Sequence, residues 1–187
     1  MSEDENIHDR SVVPIITFLR ELFAASPDPR FLYVQGVDGA SDTSKIAIHG
    51  DETFNPAQAE LRPGISVERD EASWRNATMN DNLVDKVGDG SKQVLADFST
   101  GRVICHCYSK SKLVSSHLGS LVYELVHYFK AEIRLMGYHD IDSVSLAKTA
   151  RYRGKDGAGP EFRSTAVVLK IVLKQHATKT QIPEEDA

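Results

Sequence analysis

Residues 102–136 read RVICHCYSKSKLVSSHLGSLVYELVHYFKAEIRLM, and this stretch decides the fold. Residues 102–108 are apolar at nearly every position, which is typical of a central strand covered on both faces. Apolar residues then recur every three or four positions, as along one face of a helix; they are Val114, Leu118, Leu121, Leu125, Phe129, Ile133 and Met136. Ser111 is suited to cap the helix start and Gly137 its end. The stretch predicts a central strand followed by an amphipathic helix of about seven turns.

Shorter patterns on both sides predict the remaining elements. Helical spacing of apolar residues begins near Ser11 and is stopped by the run Ser26-Pro27-Asp28-Pro29. Alternating or short apolar runs predict strands at 31–34, 45–49, 64–70, 92–98, 138–150 and 162–173. This order predicts an α+β fold: a mainly antiparallel sheet with one long helix packed on it and a shorter N-terminal helix.

The length of 187 residues fits one domain. We expect a disordered N-terminus at 1–10, a single domain over 11–176 and a polar C-terminal tail at 177–187. Long loops are predicted within the domain at 36–44, 75–91 and 151–160, and the second of these reads equally well as the arm of an extended hairpin.

Composition bounds the kinds of partner. The net charge of −5 and the sequence pI of about 5.8 argue against nucleic-acid binding by the chain as a whole. The acidic start MSEDENIHDR is unlike a secretory signal, and no apolar run approaches the roughly 20 residues that cross a bilayer. We therefore expect a protein made and kept in the cytosol, or in something assembled there.

The segment Cys105-His106-Cys107 is the main candidate for chemistry. Thiols at positions i and i+2 of a strand lie roughly 6.5–7 Å apart, at or beyond the limit for a disulfide. Strand alternation points His106 away from both thiols, and the sequence has no second cysteine pair to complete a zinc site. The chain also lacks the usual nucleophile-elbow, phosphate-loop and dinucleotide-loop motifs. We expect no metal, no cofactor and no catalytic site; a Cys/His-dependent enzyme is the alternative.

Two features are candidates for an intersubunit or partner interface. A basic hairpin stands out in this acidic chain and reads either as a solvated strand end or as a docking arm; it contains Lys148, Arg151, Arg153, Lys155 and Arg163. Trp74, the only tryptophan, reads either as a core residue or as an interface anchor. The predicted interface residues are Trp74, Arg151, Arg153 and Lys155.

The order of these elements resembles the tail-terminator and tail-completion proteins at the neck of tailed bacteriophages. The stretch 62–67, RPGISV, is similar to their RP-x-I-x-V strand, and Trp74 follows it as an aromatic residue often does there. The stretch 101–107, GRVICHC, resembles their central strand, and the predicted helix over 112–136 corresponds to the long helix after it. The resemblance covers roughly residues 30–175.

This resemblance implies a structural virion protein that forms a closed ring, usually sixfold, on the last ring of the tail tube. Its partners would be copies of itself, the tail tube protein and the head–tail connector or stopper protein, and genomic DNA would pass through without sequence-specific binding. It would occur in the virion tail or neck, and in the host cytoplasm during assembly, with no membrane association. The other readings are a different neck component, the thiol-dependent enzyme, and an adaptor that binds a host protein through 75–91.

Overall fold

A computed structural model of the chain describes residues 3–26, 28–34, 45–50, 62–77, 83–87, 92–152 and 161–180. The helices are α1 (Glu3–Ala24), a 3-10 turn (Pro29–Phe31), α2 (Lys112–Tyr128) and α3 (Lys130–Leu135). The strands are β1 (Ala47–Gly50), β2 (Gly64–Ala77), β3 (Leu83–Val87), β4 (Lys92–Ser109), β5 (Asp140–Leu146), β6 (Ala150–Tyr152) and β7 (Phe162–Thr180). None of these helices is both long enough and apolar enough to cross a membrane.

The strands form one sheet in the order β1-β2-β4-β7-β5, with β3 beside β4 and β6 beside β7. Only β1 and β2 run parallel, and the other neighbouring strands are antiparallel. Helix α2 packs on β4, β5 and β7, while α1 packs on β1 and β2. The predicted α+β class, with a mainly antiparallel sheet and helices packed on it, is confirmed.

The core lies between the helices and one face of the sheet. Alternate residues of β4 point into it, and Val103, Cys105 and Cys107 are fully buried. Residues four apart on α2 meet them from the other side, because that spacing keeps side chains on one helical face; these are Leu118, Val122 and Val126. On the opposite face of β4, Arg102 is exposed and His106 is only half-buried. The prediction that this strand is covered on both faces is therefore wrong over these residues.

Helix α1 begins at Glu3 rather than near Ser11, where the apolar pattern starts. Acidic residues at a helix start favour the N-terminal end of the helix dipole, and an apolar periodicity does not report them. Pro14 consequently lies inside the helix. The guanidinium of Arg20 donates to the backbone carbonyl of Ile48 at 2.9 Å. The hydroxyl of Tyr138 donates to the backbone carbonyl of Ser11 at 2.7 Å. These bonds fix α1 to β1 and to the residues just before β5.

Several predicted boundaries are corrected. Residues 31–34 form the end of the 3-10 turn and an extended segment rather than a strand. The predicted long helix is interrupted at Phe129, which separates α2 from α3. The run Ser99-Thr100-Gly101 has the composition of a turn, but it lies inside β4 and pairs with β7 at all three positions and with β2 at the first two. Strand β7 continues through residues 177–180 of the predicted tail.

Residues 75–91 are not a single loop. Strand β2 continues to Ala77, and β3 occupies residues 83–87 and pairs with β4 as an antiparallel hairpin. The alternative prediction, an extended hairpin arm, agrees with this arrangement. The predicted loop at 36–44, residues 153–160 of the loop at 151–160 and residues 181–187 of the predicted tail lie outside the described residues.

Candidate interaction surfaces

The two thiols lie inside the core. Cys105 and Cys107 are completely buried on the helix-covered face of β4, and His106 lies on the opposite face, as strand alternation predicts. Burial raises the pKa of Cys105 to about 12, and burial together with the neighbouring Cys105 raises the pKa of Cys107. A reactive cysteine needs a lowered pKa and access to solvent. This geometry does not support a Cys–His nucleophile pair.

We expect the native thiols to resist alkylation. We also expect them to contribute to the loss of folding stability at alkaline pH. In the unfolded chain they ionise near pH 9, whereas the fold keeps them neutral. Because the folded-state pKa of both thiols is raised, their contribution to stability is complete below about pH 9 and is lost as the pH rises, for Cys105 towards about 12. Iodoacetamide labelling at pH 8, with and without urea, measures their access, and Val13→Cys on the surface is the matched positive control. Rapid labelling of the folded wild type would contradict this burial.

His106 joins a polar group that spans three strands on the open face of the sheet. Its Nε2 donates to Oε1 of Glu68 on β2 at 2.9 Å, and the hydroxyl of Ser164 on β7 lies 3.5 Å from its Nδ1. Serine, histidine and carboxylate are the components of a hydrolytic triad. However, Ser164 is buried and lies on β7 between β4 and β6. The backbone N–H groups around it take part in these strand pairings, so they are not available to stabilise an oxyanion. The group reads as a cross-strand polar ladder.

The charges farther along this face offset one another. Arg102 pairs with Asp70 at 2.8 Å, and Lys170 pairs with Asp142 at 2.6 Å. The hydrogen bond from Lys170 holds the pKa of Asp142 below its usual value. Arg102 and Lys170 are also direct neighbours across β4 and β7, so the four charges form one rung. Such a balanced surface does not provide the unpaired cations that hold phosphate backbones.

The predicted interface residues do not form one surface. Arg151 lies exposed on β6 opposite Arg163 on β7, and the carboxylate of Glu161 lies 3.2 Å and 3.9 Å from their guanidinium groups. This carboxylate offsets the repulsion that directly opposed like charges would otherwise exert. The hairpin itself is therefore confirmed. Arg153 and Lys155 lie outside the described residues.

Trp74 lies at the other end of the sheet. It is on β2 within the register shift between Asp70 and Arg75, and its side chain is outside the described part of the chain. Arg75 pairs with Thr100 of β4, whereas Arg163 of the basic hairpin pairs with Ser109. Nine residues of strand correspond to roughly 30 Å. Trp74 and Arg151 therefore do not belong to one local cluster.

The sheet continues past Leu173, the last residue of β7 whose side chain the structure describes. Residues 174–180 pair with residues 92–98 of β4. Strand β3 pairs with the other edge of the same part of β4. We call β3 together with residues 92–98 and 174–180 the β-arm. Its seven paired positions extend the sheet by about 24 Å.

An apolar pocket of about 450 Å³ lies beside the start of α2. Its lining is Arg30, Phe31, Pro63, Leu113, Val114 and His117. The ring of His117 stacks on Phe31 at 5.7 Å between centroids, and Arg30 pairs with Asp28 at 2.7 Å. Hydrogen bonds from the Arg30 side chain and backbone hold the pKa of Asp28 well below its usual range. This volume is within the range of small-ligand or side-chain pockets.

Sequence reasoning missed this pocket. Leu113 lies off the apolar stripe of the predicted helix, which was a signal that it does not belong to the core. Arg30 belongs to the segment that stops α1 and could not be placed beside α2 without the tertiary fold. Among the described residues, no group of three or more histidine, cysteine or carboxylate side chains is arranged to hold a metal ion.

No protein-family model matches the sequence, and no curated protein is significantly similar to it. Any assignment of function therefore depends on the geometry above and on the resemblance in element order.

Proposed function

We propose that this chain is a structural subunit of a ring at the head–tail junction of a tailed bacteriophage, where it terminates the tail tube. The observation that carries this proposal is the β-arm. Strands β4 and β7 stay paired over the seven positions of the arm, and β3 pairs with β4 there. A subunit that binds copies of itself needs structured elements that can make the contact.

The energetics of the arm favour a role in contacts between subunits. Strands depend on a covered face or on further pairing, and small isolated sheets are only marginally stable in water. Leu173, which directly precedes the arm on β7, is buried. A neighbouring copy is the natural cover for such an element, as heterologous contacts in a closed ring repeat the same contact at every subunit.

The side chains that could take part in catalysis are placed where they stabilise the fold. The thiols are buried beneath α2, and the polar group around His106 lies within a continuous ladder of strands. These observations favour assembly over the thiol-dependent enzyme. The resemblance supplies the rest of the proposal: usually six copies, the tail tube protein on one side, the connector or stopper protein on the other, and DNA through the centre. The alternative is that the chain forms a different ring of the neck, with the same subunit fold but other neighbouring proteins.

Removing the β-arm is expected to abolish assembly while leaving the core folded. Ala77 pairs directly with Phe98, so residues 78–97 can be replaced by Asn-Gly, a two-residue hairpin turn. The chain would end at Lys174, which also pairs with Phe98. We expect this variant to sediment as a monomer and to keep a cooperative urea transition, whereas the full chain forms rings. A shortened chain that still assembles with the full-length copy number would contradict the role given to the arm.

A further inference from the structure

Helix α1 contains a proline in its interior, and the hydroxyl of Tyr138 binds the helix at the same turn. Because proline has no backbone N–H, Pro14 cannot donate to the carbonyl of Arg10, four residues before it. The next carbonyl along the helix is that of Ser11, and it accepts a hydrogen bond from the Tyr138 hydroxyl at 2.7 Å. The position where the helix lacks one of its own bonds is therefore next to the position where it gains one from outside.

The Tyr138 hydroxyl reaches this turn from inside the core. Tyr138 is 5% exposed, and Ser11 is completely buried. Burial raises the pKa of the hydroxyl, the neighbouring Cys105 adds to this effect, and the backbone of Ile15 opposes it. In a regular helix, the N–H of Ile15 is the group that binds the carbonyl of Ser11. The hydroxyl thus lies beside both members of one helical hydrogen bond, where an inserted side chain can bend or weaken a helix.

Tyr138 belongs to the rigid part of the protein. It lies between α3 and β5, directly after Gly137, whose positive φ of 117° turns the chain after α3. The N–H of Gly137 donates to the carbonyl of Arg134 at 3.2 Å, and the N–H of His139 donates to the carbonyl of Val172 on β7 at 2.9 Å. Backbone bonds on both sides of Tyr138 therefore tie it to α3 and to the sheet.

The part of α1 after Pro14 is bound closely to the same body. The guanidinium of Arg20 donates to the backbone carbonyl of Ile48 on β1. The rings of Phe18 and Phe129 lie edge to face, with their centroids 6.0 Å apart. Four large apolar side chains of this part are 6% exposed or less; they are Ile15, Phe18, Leu19 and Phe23. This part of the helix therefore cannot move without opening the core.

Fewer contacts are available on the N-terminal side of the proline. Val12 is buried, whereas Val13 is 49% exposed. The sequence of residues 3–10 has a single apolar residue, Ile7, and is otherwise polar or charged, so it can bury little apolar area. The hydrogen bond from Tyr138 is consequently a large part of what holds this side of the helix to the core.

We propose that α1 is hinged at Pro14 and that the Tyr138 hydroxyl is the latch that holds its N-terminal segment, residues 3–13, against the core. In the latched state the segment continues the helix, and on release it leaves the core while residues 15–24 remain in place. Proteins open locally where few buried contacts hold a segment, and hinges lie at residues that absorb a change of backbone direction. The inference does not depend on the proposed ring, because every contact it uses lies within one chain.

Release of the latch exposes the backbone of the whole segment at once. Residues 3–13 are too few to remain helical when detached, because isolated helices shorter than about 12–15 residues are marginal in water. The amide hydrogens of the segment should therefore exchange with solvent together. This behaviour differs from ordinary fraying, in which protection decreases gradually towards the first residue of the helix.

Amide hydrogen exchange of the monomeric full-length chain tests this hinge. The amides of residues 7–13 report on the N-terminal segment, since the first four N–H groups of a helix have no helical partner, and residues 15–24 report on the remainder. We expect one common opening constant over residues 7–13, a step at Pro14, and a smaller opening constant beyond it. Tyr138→Phe should raise the constant of residues 7–13 about three- to tenfold, the effect of one lost hydrogen bond.

Two further variants distinguish the outcomes. Tyr123→Phe removes a half-buried hydroxyl that makes no hydrogen bond with the described residues, so it should leave the opening constant of residues 7–13 unchanged within about twofold. Pro14→Ala restores the missing N–H and should lower that constant at least about tenfold, because proline is costly inside a helix. Protection that decreases gradually from residue 13 to residue 7 would overturn the hinge, as would equal opening constants on both sides of Pro14. An unchanged constant in Tyr138→Phe would overturn the latch.

Discussion

Replacing Leu118 with alanine is expected to lower the free energy of unfolding by about 3–5 kcal/mol, because the lost methyl groups leave a cavity at the centre of the core. Leu118 is fully buried on the face of α2 that packs on β4 and β7. The surrounding strands are each paired on both sides and cannot collapse freely into the space. Urea denaturation measures the loss, with an unchanged slope showing that the two states are otherwise the same.

Leu135→Ala is the matched control for this change. Its side chain is 88% exposed, so its truncation should alter the free energy of unfolding by no more than about 0.5 kcal/mol. Both variants should be measured at concentrations at which the chain is monomeric, since assembly adds its own stabilisation. Equal losses for the two leucines would contradict the placement of the core.

Replacing Gly119 with alanine should also destabilise the protein, although alanine favours helix by about 1 kcal/mol over glycine. A Cβ at this position would lie 2.5 Å from Cγ2 and 2.8 Å from Cβ of Thr165 on β7. Thr165 is not free to turn, because its hydroxyl lies 3.2 Å from that of Ser115 and 2.8 Å from that of Thr149. We expect a net loss of about 1–3 kcal/mol, the usual cost of overpacking, and a larger loss for Gly119→Val.

Two comparisons make this result specific. Ser116→Ala is on the exposed side of the same helix and should be neutral or slightly stabilising, because only helix propensity changes there. Combining Gly119→Ala with Thr165→Ser removes the closest methyl group and should recover part of the loss. An alanine at 119 that stabilises the chain would show that α2 does not approach β7 as closely as described.

The sequence was informative where a pattern is local. Periodicity alone predicted the strand with Cys105 and Cys107, the helix with Leu118, and the fold class, since each depends on side chains within a few residues of one another. The break between α2 and α3 at Phe129 was not predicted, because the apolar spacing of the sequence continues through it. Glycine is unfavourable in strands, but Gly101 lies in β4 because it pairs with Ile171 of β7 and its neighbours Thr100 and Arg102 pair with β2.

Long-range register was beyond the reach of the sequence. The contacts of His106 with Glu68 and Ser164 join residues 38 and 58 positions apart, and their spacing in the chain has no signature. The same holds for the pocket, which brings Arg30 from the 3-10 turn after α1 to Leu113 at the start of α2. The sequence narrowed the candidate interface to a few basic residues and one aromatic residue, but it did not show at which end of the sheet each one lies.

The most direct test of the account is the mass of the purified full-length chain, measured by sedimentation and electron microscopy with and without tail tube protein. The account predicts one closed ring of fixed copy number that sits at the end of the tube and stops its growth. A chain that stays monomeric at every concentration, even beside assembled tubes, would contradict it.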